Sequence, residues 1–351
     1  MPRRELVVAG AGMAGLVAAA RARELGADVL VHEKGDRPGG SMLLSSGVIW
    51  RYREWERFRA ECPGGDQGLQ RVVWEGLDEA LGWLERLGAP VVARETGNPL
   101  TSGLRFDPRG LTEALVRRVG DIRLREPLSA LPDGVPAVLA TGGFQGDRAL
   151  VRERITSQAG SLVLRANPWS SGDGLRLATA RGAELSAGMD EFYGRNLAAA
   201  PRIEAEQFIT LAQVYARHAT VESLEGERYE PRTWSEIDVV QWTARRPKAR
   251  ARYLVPDEAL DWPVRERTVR DVIAAAERAG APVERRDGLT VVEVVAGITT
   301  TLGGVRIDSR ARAAEGLYAA GADAGGISTG GWSSALASAL VFGKVAAEEA
   351  L

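Results

Sequence analysis

The residues near the start of the chain with the clearest chemical use are three glycines and one acid. Gly10, Gly12 and Gly15 have the spacing G-x-G-x-x-G, and Glu33 follows them. In a dinucleotide site the first glycine permits a tight turn, the second lets backbone approach a pyrophosphate, and the third lets a helix pack on a strand. An acid about 20 residues further on binds the ribose and disfavours a 2′-phosphate. This spacing predicts a dinucleotide site.

The elements that must position these residues can be predicted from the same stretch. Residues 6–9 form an apolar run typical of a buried strand, residues 14–25 predict an alanine-rich helix that ends at Gly26, and residues 28–31 predict a second strand. The helix begins where the glycine loop ends, so its free N–H groups and its dipole would face a phosphate. The motif does not separate NAD from FAD.

A second loop rich in glycine and serine follows directly. It contains Gly39, Gly40 and Ser41, and then Ser46 and Gly47. In an NAD-binding protein this region usually continues into ordinary helix and strand. The second loop therefore predicts a longer cofactor that lies across it.

Further glycine-rich segments follow short apolar runs along the chain. They read "ATGGFQGD" (140–147), "NPWSSGDG" (167–174), "TLGG" (301–304) and "GADAGG" (321–326). Each segment alone is consistent with an ordinary turn. Their repetition after predicted strands favours a ligand at the carboxyl ends of parallel strands.

These segments, in this order, resemble the flavoprotein family of fumarate reductases, succinate dehydrogenase flavoprotein subunits and 3-ketosteroid Δ1-dehydrogenases. The resemblance implies an α/β fold: a Rossmann-like FAD-binding domain at residues 1–195 and 293–351, with a small inserted α+β cap domain at 196–292. It implies that FAD is bound by Gly10, Gly12, Ala14, Gly15, Glu33, Lys34, Gly39, Gly40, Ser41, Ser46, Gly47, Thr141, Gly142, Gly143, Asp173, Gly321, Asp323, Ser333, Ala335 and Leu336.

The resemblance also makes predictions about the flavin end of the cofactor. The small-residue helix after Gly331 would direct its N-terminus at the flavin, where charge develops on reduction. Asp323 stands where the family usually has Glu, so it would reach less far toward the ribityl hydroxyls. Succinate dehydrogenase subunits attach FAD through a histidine after the second glycine loop, and the corresponding "SMLLSSG" has none. We therefore expect non-covalent FAD.

The family chemistry is removal or addition of hydrogen across a C–C bond beside a carbonyl, with hydride handled at flavin N5. The chain is thus predicted to be an FAD-dependent oxidoreductase. It departs from the fumarate reductase pattern, because Thr299 and Thr300 stand where a histidine is expected and "STGGWSSAL" lacks the family's arginine. The segment "VPDEALDWP" stands where the catalytic arginine is expected. Fumarate and succinate are disfavoured as substrates.

Candidate catalytic residues come from the predicted cap. "GERYEPRTWSEID" resembles the family's G-x-R-F-x-x-E segment and brings Arg232 and Glu236 near active-site positions. Ketosteroid enzymes use tyrosines there, so Tyr229 and Tyr253 are candidates as well. The alternative is a surface ion pair for Arg232 and Glu236, and packing for the two tyrosines.

The predicted substrate pocket contains Trp332 and Thr300. With Trp50, Trp234 and Trp242, the tryptophan favours a small, fairly apolar or cyclic substrate. Tryptophans more often pack in a core, so this indication is weak by itself.

Composition excludes several classes of function. One cysteine and two histidines permit no intrachain disulfide and argue against a His/Cys zinc site, so we expect no metal. The net charge of -2 gives no sign of a nucleic-acid-binding surface. The basic stretch "RRPKARAR" (245–252) is either a solvated surface segment or a site for a phosphate- or carboxylate-bearing partner.

Localisation and partners are predicted by exclusion. A strand pattern begins within the first residues and no apolar run is long enough to span a bilayer, so we expect a cytoplasmic protein without a signal peptide or membrane span. The chain has no Cys-rich cluster motif and no haem motif. The electron acceptor or donor would then be external: O₂, a soluble carrier or another protein.

Two alternatives stay open at this point. One is a flavin-dependent oxidase or reductase of another C–C or C–N bond in a specialised pathway. The other is a flavoprotein that uses FAD structurally or for a rearrangement without net redox change.

Overall fold

The structure, a computed structural model, describes residues 4–231, 237–264 and 266–351. The strands β1–β17 are, in chain order, Glu5–Ala9, Asp28–Glu33, Val48–Tyr52, Val91–Ala93, Thr101–Phe106, Ile122–Leu124, Ala137–Leu139, Val163–Leu164, Phe192–Ala198, Thr220–Ser223, Arg250–Pro256, Pro263–Val264, Arg267–Thr268, Val283–Arg286, Leu289–Thr301, Arg312–Ala314 and Leu317–Ala319. The helices α1–α9 are Met13–Glu24, Trp55–Glu61, Gln67–Arg86, Pro108–Val119, Arg148–Arg154, Asp173–Ala180, Ile237–Ala244, Val269–Arg278 and Ala335–Ala350.

The chain divides into two compact units. The first contains the described residues of Met1–Asp147, Asn167–Glu191 and Thr300–Leu351, and the second contains those of Arg148–Ala166 and Phe192–Thr299. These units are defined by contacts within the chain. The division into a cofactor domain (1–195 and 293–351) and a cap (196–292) stays a prediction.

The first unit is built on a six-stranded sheet with the order β16-β17-β7-β1-β2-β6. All neighbours in this sheet are parallel except β16 and β17, and β1 lies between β2 and β7. Strands β1 and β7 carry apolar residues on both faces because helices cover a parallel sheet on both sides. The predicted Rossmann-like α/β class is confirmed.

Helix α1 is built from small residues because other elements approach it closely. Ala18, Ala19 and Ala20 are fully buried, and the helix packs against α9, α4 and the sheet. It ends where the sequence predicts, since Gly26 adopts a left-handed φ of 84° just after it. Helix α9 likewise matches the predicted closing helix.

A small antiparallel sheet in the first unit has the order β3-β5-β4. It lies beside a cluster in which Tyr52, Phe58 and Cys62 are buried, with three half-buried tryptophans around them. The Tyr52 ring stands edge-on to Trp50, with ring centroids 5.2 Å apart. Burial raises the pKa of the Cys62 thiol, so this cysteine is a core residue.

The second unit contains a sheet with the order β10-β11-β15-β14, and strands β8 and β9 also pair with β15. The second unit has an apolar core of its own, which includes Tyr253, Val292 and Val294, and helix α8 packs on part of it. The N-terminus of α8 is fixed by a capping box between Thr268 and Asp271. The sequence predicted this helix at 269–279, and the structure has it.

In the part of the chain that the structure describes, no helix combines the length and the apolar character needed to cross a membrane.

Candidate functional site

In the first glycine loop, neighbouring atoms leave no room for a side chain at Gly10 and Gly15, whereas Gly12 has free space beside it. A methyl group at Gly10 would overlap the carbonyl oxygen of Ala140, and one at Gly15 would overlap the carbonyl oxygen of Gly10. A methyl group at Gly12 meets no described atom within 4 Å. Gly12 is the N-cap of α1, and no described side chain caps that end of the helix. This free helix N-terminus, with room in front of it, fits a pyrophosphate.

Glu33 lies beside this loop with its carboxylate already held in place. It is 7% exposed at the end of β2. Its Oε2 accepts a hydrogen bond from Ala11 N (2.7 Å) and its Oε1 accepts one from Gly35 N (2.6 Å). Each carboxylate oxygen can accept a further bond, so the group fits the ribose hydroxyls that the sequence assigns to it.

The second glycine loop touches the first. Gly39 N donates to Ala11 O at 2.7 Å, and a methyl group at Gly40 would lie 3.2 Å from Gly12 Cα. Ser41 Oγ accepts a hydrogen bond from Asn167 Nδ2 (2.8 Å), which brings the 167–174 segment to the same place. The structure therefore brings together three segments that the sequence predicted to share a ligand.

Lys34 and Asp173 form an ion pair in this region. Lys34 Nζ lies 2.9 Å from Asp173 Oδ2 and donates to Ser171 Oγ at 2.6 Å. Asp173 is the first residue of α6, where a negative charge stabilises the helix N-terminus. Asn167 and Ser171 are not among the predicted cofactor residues, although both stand in the "NPWSSGDG" segment that carries the resemblance.

Asp323 is the most completely bonded of the predicted cofactor residues. It is 2% exposed. Its carboxylate accepts hydrogen bonds from Thr141 N, from Thr141 Oγ1 (3.1 Å) and from Gly143 N (3.0 Å). Burial raises the pKa of Asp323, and these three bonds act in the opposite direction. The sequence directed this acid toward the ribityl chain, and in the structure its carboxylate holds the loop after β7.

Two side-chain oxygens without a hydrogen-bond partner in the described part of the chain lie beside Gly143 of that loop: one belongs to Gln145 of the same loop and one to Thr301 at the end of β15. A methyl group there would lie 2.6 Å from Thr301 Oγ1 and 2.9 Å from Gln145 Oε1. Both oxygens are buried and have no hydrogen-bond partner among the described residues. A buried polar atom without a partner is costly, so these atoms fit a ligand that carries hydrogen-bond donors. Gly142, by contrast, is required by the close approach of Ser170 Oγ.

The closing segment meets the first helix. A methyl group at Gly321 would lie 3.0 Å from Ala14 Cβ, so α1 and this loop are in contact. Ser334 caps α9 by accepting a hydrogen bond from Ala337 N at 3.2 Å, and Ala335 and Leu336 are half-buried in the first turn. Ser333 Oγ is bonded to Ser328 Oγ at 2.6 Å. These contacts place the predicted residues of the segment at the start of α9.

Ser46 and Gly47 have a local structural explanation. Gly47 has a φ of 71°, and a methyl group there would overlap the carbonyl oxygen of Phe106. The Ser46 carbonyl oxygen accepts a hydrogen bond from Arg105 Nε at 3.1 Å. Their contacts among the described residues are those of the turn before β3, and their role toward a cofactor stays a prediction.

The two predicted pocket residues lie in the first unit. The Trp332 carbonyl oxygen accepts a hydrogen bond from Tyr52 Oη at 2.9 Å, and Thr300 Oγ1 donates to the Thr301 carbonyl oxygen at 3.3 Å. Glu191 joins their segments: its carbonyl accepts from Leu302 N (3.0 Å) and its Oε2 accepts from Gly330 N (2.7 Å). No motif in the sequence pointed to Glu191.

Two of the catalytic candidates, Tyr229 and Tyr253, lie in the second unit. Tyr229 is half-buried, donates a hydrogen bond to Asp238 Oδ2, and has its ring centroid 5.6 Å from that of Trp242. Tyr253 is fully buried, and its hydroxyl accepts a hydrogen bond from Asn196 Nδ2 at 3.0 Å. Arg232, Trp234 and Glu236 lie outside the described residues.

The model of the FAD binding domain family matches residues 5–130 and 135–334. The chain belongs to this family. FAD contains the pyrophosphate, ribose and hydroxyl groups that Gly12, Glu33 and the unsatisfied oxygens beside Gly143 fit. The flavoprotein would therefore hold FAD across the carboxyl ends of β1, β2 and β7.

Solved structures share this fold. A flavocytochrome c3 fumarate reductase in an open conformation superposes with a TM-score of 0.74 at 20% identity, over 99% of this chain and 78% of that one. The 3-ketosteroid-Δ4-(5α)-dehydrogenase of Rhodococcus jostii RHA1 gives 0.72 at 18% identity, over 99% and 97%. The 3-ketosteroid Δ1-dehydrogenase of Sterolibacterium denitrificans gives 0.70 at 16% identity, over 98% of each chain. No curated protein sequence matches the flavoprotein.

Proposed function

We propose that the protein is an FAD-dependent oxidoreductase that removes or adds hydrogen across a C–C bond next to a carbonyl group. The observation that carries the proposal is the open helix N-terminus at Gly12 beside the buried Glu33 carboxylate, in a chain of the FAD binding domain family. When bound, the flavin accepts or supplies the hydride. The protein's part is to hold the cofactor, to position the substrate and to move one proton.

The substrate class we propose is a small, fairly apolar or cyclic carbonyl compound. Thr299 and Thr300 replace a histidine expected of a dicarboxylate enzyme, and the segment with Trp332 lacks the expected arginine. The R. jostii enzyme of the same fold was solved with bound 4-androstene-3,17-dione. A flat cyclic ketone is therefore the first compound class to test.

For the proton we propose Tyr229, oriented by Asp238. The carboxylate of Asp238 accepts the Tyr229 hydrogen bond and would stabilise one orientation of the hydroxyl. The half-buried Tyr229 is better suited to meet a substrate than Tyr253, whose hydroxyl lies in the core of the second unit. Arg232 and Glu236 stay candidates for the same catalytic role.

The proposal also covers how FAD is attached and where the protein is located. We propose non-covalent FAD, because the segment at residues 41–47 contains no histidine. Acid denaturation should then give a yellow supernatant and a colourless pellet, whereas a yellow pellet would show a covalent link. We further propose a cytoplasmic protein that exchanges electrons with O₂, a soluble carrier or another protein.

The experiment that tests the function is an anaerobic titration of the FAD-loaded protein. Dithionite first establishes that the absorbance at about 450 nm bleaches on reduction. Saturated cyclic ketones, succinate and a secondary amine are then added separately to the oxidised protein, and cyclic enones and fumarate to the dithionite-reduced protein. Bleaching by a cyclic ketone, or reoxidation by a cyclic enone, supports the proposal. A response only to succinate or fumarate, only to the amine, or to none of them would contradict it.

A further inference from the structure

The basic segment 245–252, which the flavin site does not use, forms one side of a cavity in the second unit. The cavity has a volume of about 390 Å³ and is lined by Ser161, Lys248, Arg250 and Val295. A volume of a few hundred Å³ is in the range of small-molecule sites. Its lining combines an ammonium, a guanidinium, a hydroxyl and one apolar surface.

The charges around the cavity are unequally neutralised. Arg250 forms an ion pair with Glu293, and Arg246 pairs with Glu227 and stacks on the Trp242 ring at 4.5 Å. Lys248 is exposed, and no carboxylate of the described residues forms an ion pair with it. The cavity therefore presents one uncompensated positive charge beside a guanidinium that keeps further donors available.

The backbone that presents Lys248 is strained. Lys248 and Ala249 both have left-handed φ values, 57° and 50°, although neither is glycine. Such conformations persist only where surrounding structure enforces them, and they are frequent at functional sites.

Two residues that line the cavity, Lys248 and Ser161, are joined through Gln158. Gln158 Oε1 accepts a hydrogen bond from Lys248 N at 3.0 Å, and the Gln158 carbonyl accepts one from Ser161 N at 2.8 Å. Gln158 thus connects the backbone at Lys248 to the backbone at Ser161, two of the residues that line the cavity.

We propose that this cavity is a second ligand site, separate from the flavin, that binds the phosphate or carboxylate group of a small molecule. The ammonium of Lys248 supplies the attraction, Arg250 and Ser161 supply hydrogen bonds, and Val295 contacts an apolar part of the ligand. Glycine would fit the left-handed conformation at residue 248 better, so ligand binding rather than backbone stability explains the lysine there.

The test uses the FAD-loaded full-length protein and compares K248G and K248A with R278A. Arg278 is an exposed cation of the same unit on α8, outside the cavity lining, so its removal makes the same change in net charge. Binding of inorganic phosphate and of citrate is measured by calorimetry at constant ionic strength. Flavin absorbance is recorded in parallel to show that the anion does not act at the FAD site.

Wild type and R278A are expected to bind at least one of the two anions saturably, and K248G and K248A are expected to lose at least tenfold in affinity. Phosphate alone would identify a phosphate-bearing ligand, and citrate alone a carboxylate-bearing one. In the absence of anion, K248G should melt at a higher temperature than wild type because glycine relieves the left-handed strain. Lack of saturable binding to wild type, or equal binding to K248G, would overturn the proposal.

Discussion

At the scale of single residues, glycines of one motif have different physical tasks. Gly10 and Gly15 are required by packing, because a methyl group at either would overlap a carbonyl oxygen. Gly12 has no described neighbour at that position, and its backbone φ of −77° is accessible to any residue. The fold therefore does not require glycine at residue 12, and we propose that the ligand does.

This difference gives the first prediction. G12A should fold with the stability of the wild-type apoprotein but retain much less FAD, because the added methyl group occupies the space for the pyrophosphate. G15A should lower the free energy of unfolding by about 1–3 kcal/mol whether or not FAD is present. The ratio of flavin to protein absorbance and urea denaturation of the apoproteins measure the two effects. Full FAD content in G12A would contradict the assignment.

The sequence predicts that Asp323 binds the cofactor, whereas in the structure its carboxylate accepts hydrogen bonds from Thr141 and Gly143. The second prediction is that D323N destabilises the protein by about 1–3 kcal/mol, because an amide group would face the Thr141 N–H donor. The matched control is D308N, whose exposed carboxylate accepts from Arg310 N and Arg312 N and should matter little.

The raised pKa of Asp323 adds a pH dependence with a defined sign. The Asp323 carboxyl group binds its proton more tightly in the folded protein than in the unfolded chain, where its pKa is 3.8. The stability that Asp323 contributes is therefore greatest at low pH and is lost as the pH rises from about 4 through the folded pKa. As the pH falls through this window, the unfolding free energy of the wild type should rise relative to that of D323N, which lacks this carboxyl group. Denaturation at several pH values checks this, and a difference that does not change with pH would argue against a raised pKa.

Tyr229 and Tyr253 provide the third prediction. Y229F should lower kcat by about 10²-fold without loss of FAD, because the proposed proton carrier is removed. Y253F should leave kcat nearly unchanged and lower stability by about 1 kcal/mol, since Asn196 keeps its bond to Thr243 Oγ1. Steady-state rates, flavin content and denaturation curves separate the cases. A larger loss of kcat in Y253F than in Y229F would show that Tyr253, and not Tyr229, carries the proton.

At the scale of elements, the contact of α1 with α9 determines which residues both helices can contain. A methyl group at Gly343 would lie 2.7 Å from the Ala14 carbonyl oxygen and 3.1 Å from Val17 Cβ. The alanine-rich surface of α1 lets α9 approach, so that Gly343 in the middle of α9 lies against Ala14 at the start of α1. Small residues in both helices are therefore a condition for the geometry of the site.

The fourth prediction compares two helical glycines. G343A should destabilise the protein by about 1–3 kcal/mol, because backbone atoms of α1 must move. G82A should stabilise it by up to about 1 kcal/mol, since its methyl group meets only the Arg86 Nη1 atom at 3.5 Å. Chemical denaturation of the two variants measures the difference. Equal effects would show that the α1–α9 contact tolerates a larger separation.

At the scale of the whole molecule, the two units have separate apolar cores. The largest core lies wholly within the first unit, and the core around Tyr253 lies wholly within the second. The cofactor residues that the structure brings together belong to the first unit. Ligand binding stabilises the part of a protein that it contacts.

The fifth prediction follows from this arrangement. FAD at about 1,000 times its Kd should stabilise the first unit by about 4 kcal/mol and protect its amides from hydrogen exchange. Peptides of β1 and α1 should gain protection, and peptides of α8 should gain less. Hydrogen-exchange mass spectrometry of the apo and FAD-loaded protein makes the comparison. Uniform protection of both units would show that they unfold as one.

The sequence by itself determined the α/β class, the two glycine loops, α1, α8 and α9, and the family. These features depend on local properties: the spacing of glycines, the period of apolar residues and the residues that end helices. Such properties are written along the chain and need no knowledge of distant contacts.

Only the tertiary structure decided what several candidate residues touch. In the structure the Asp323 carboxylate bonds to the Thr141–Gly143 loop, and the Tyr253 hydroxyl bonds to Asn196 in the core of the second unit. Glu191 accepts hydrogen bonds from both Leu302 N and Gly330 N. The structure also shows that Lys248 stands in a cavity on a strained turn. Each outcome depends on residues far apart in the chain. A side chain's partner is set by which segments the fold brings near it, and residue type and spacing do not encode that proximity.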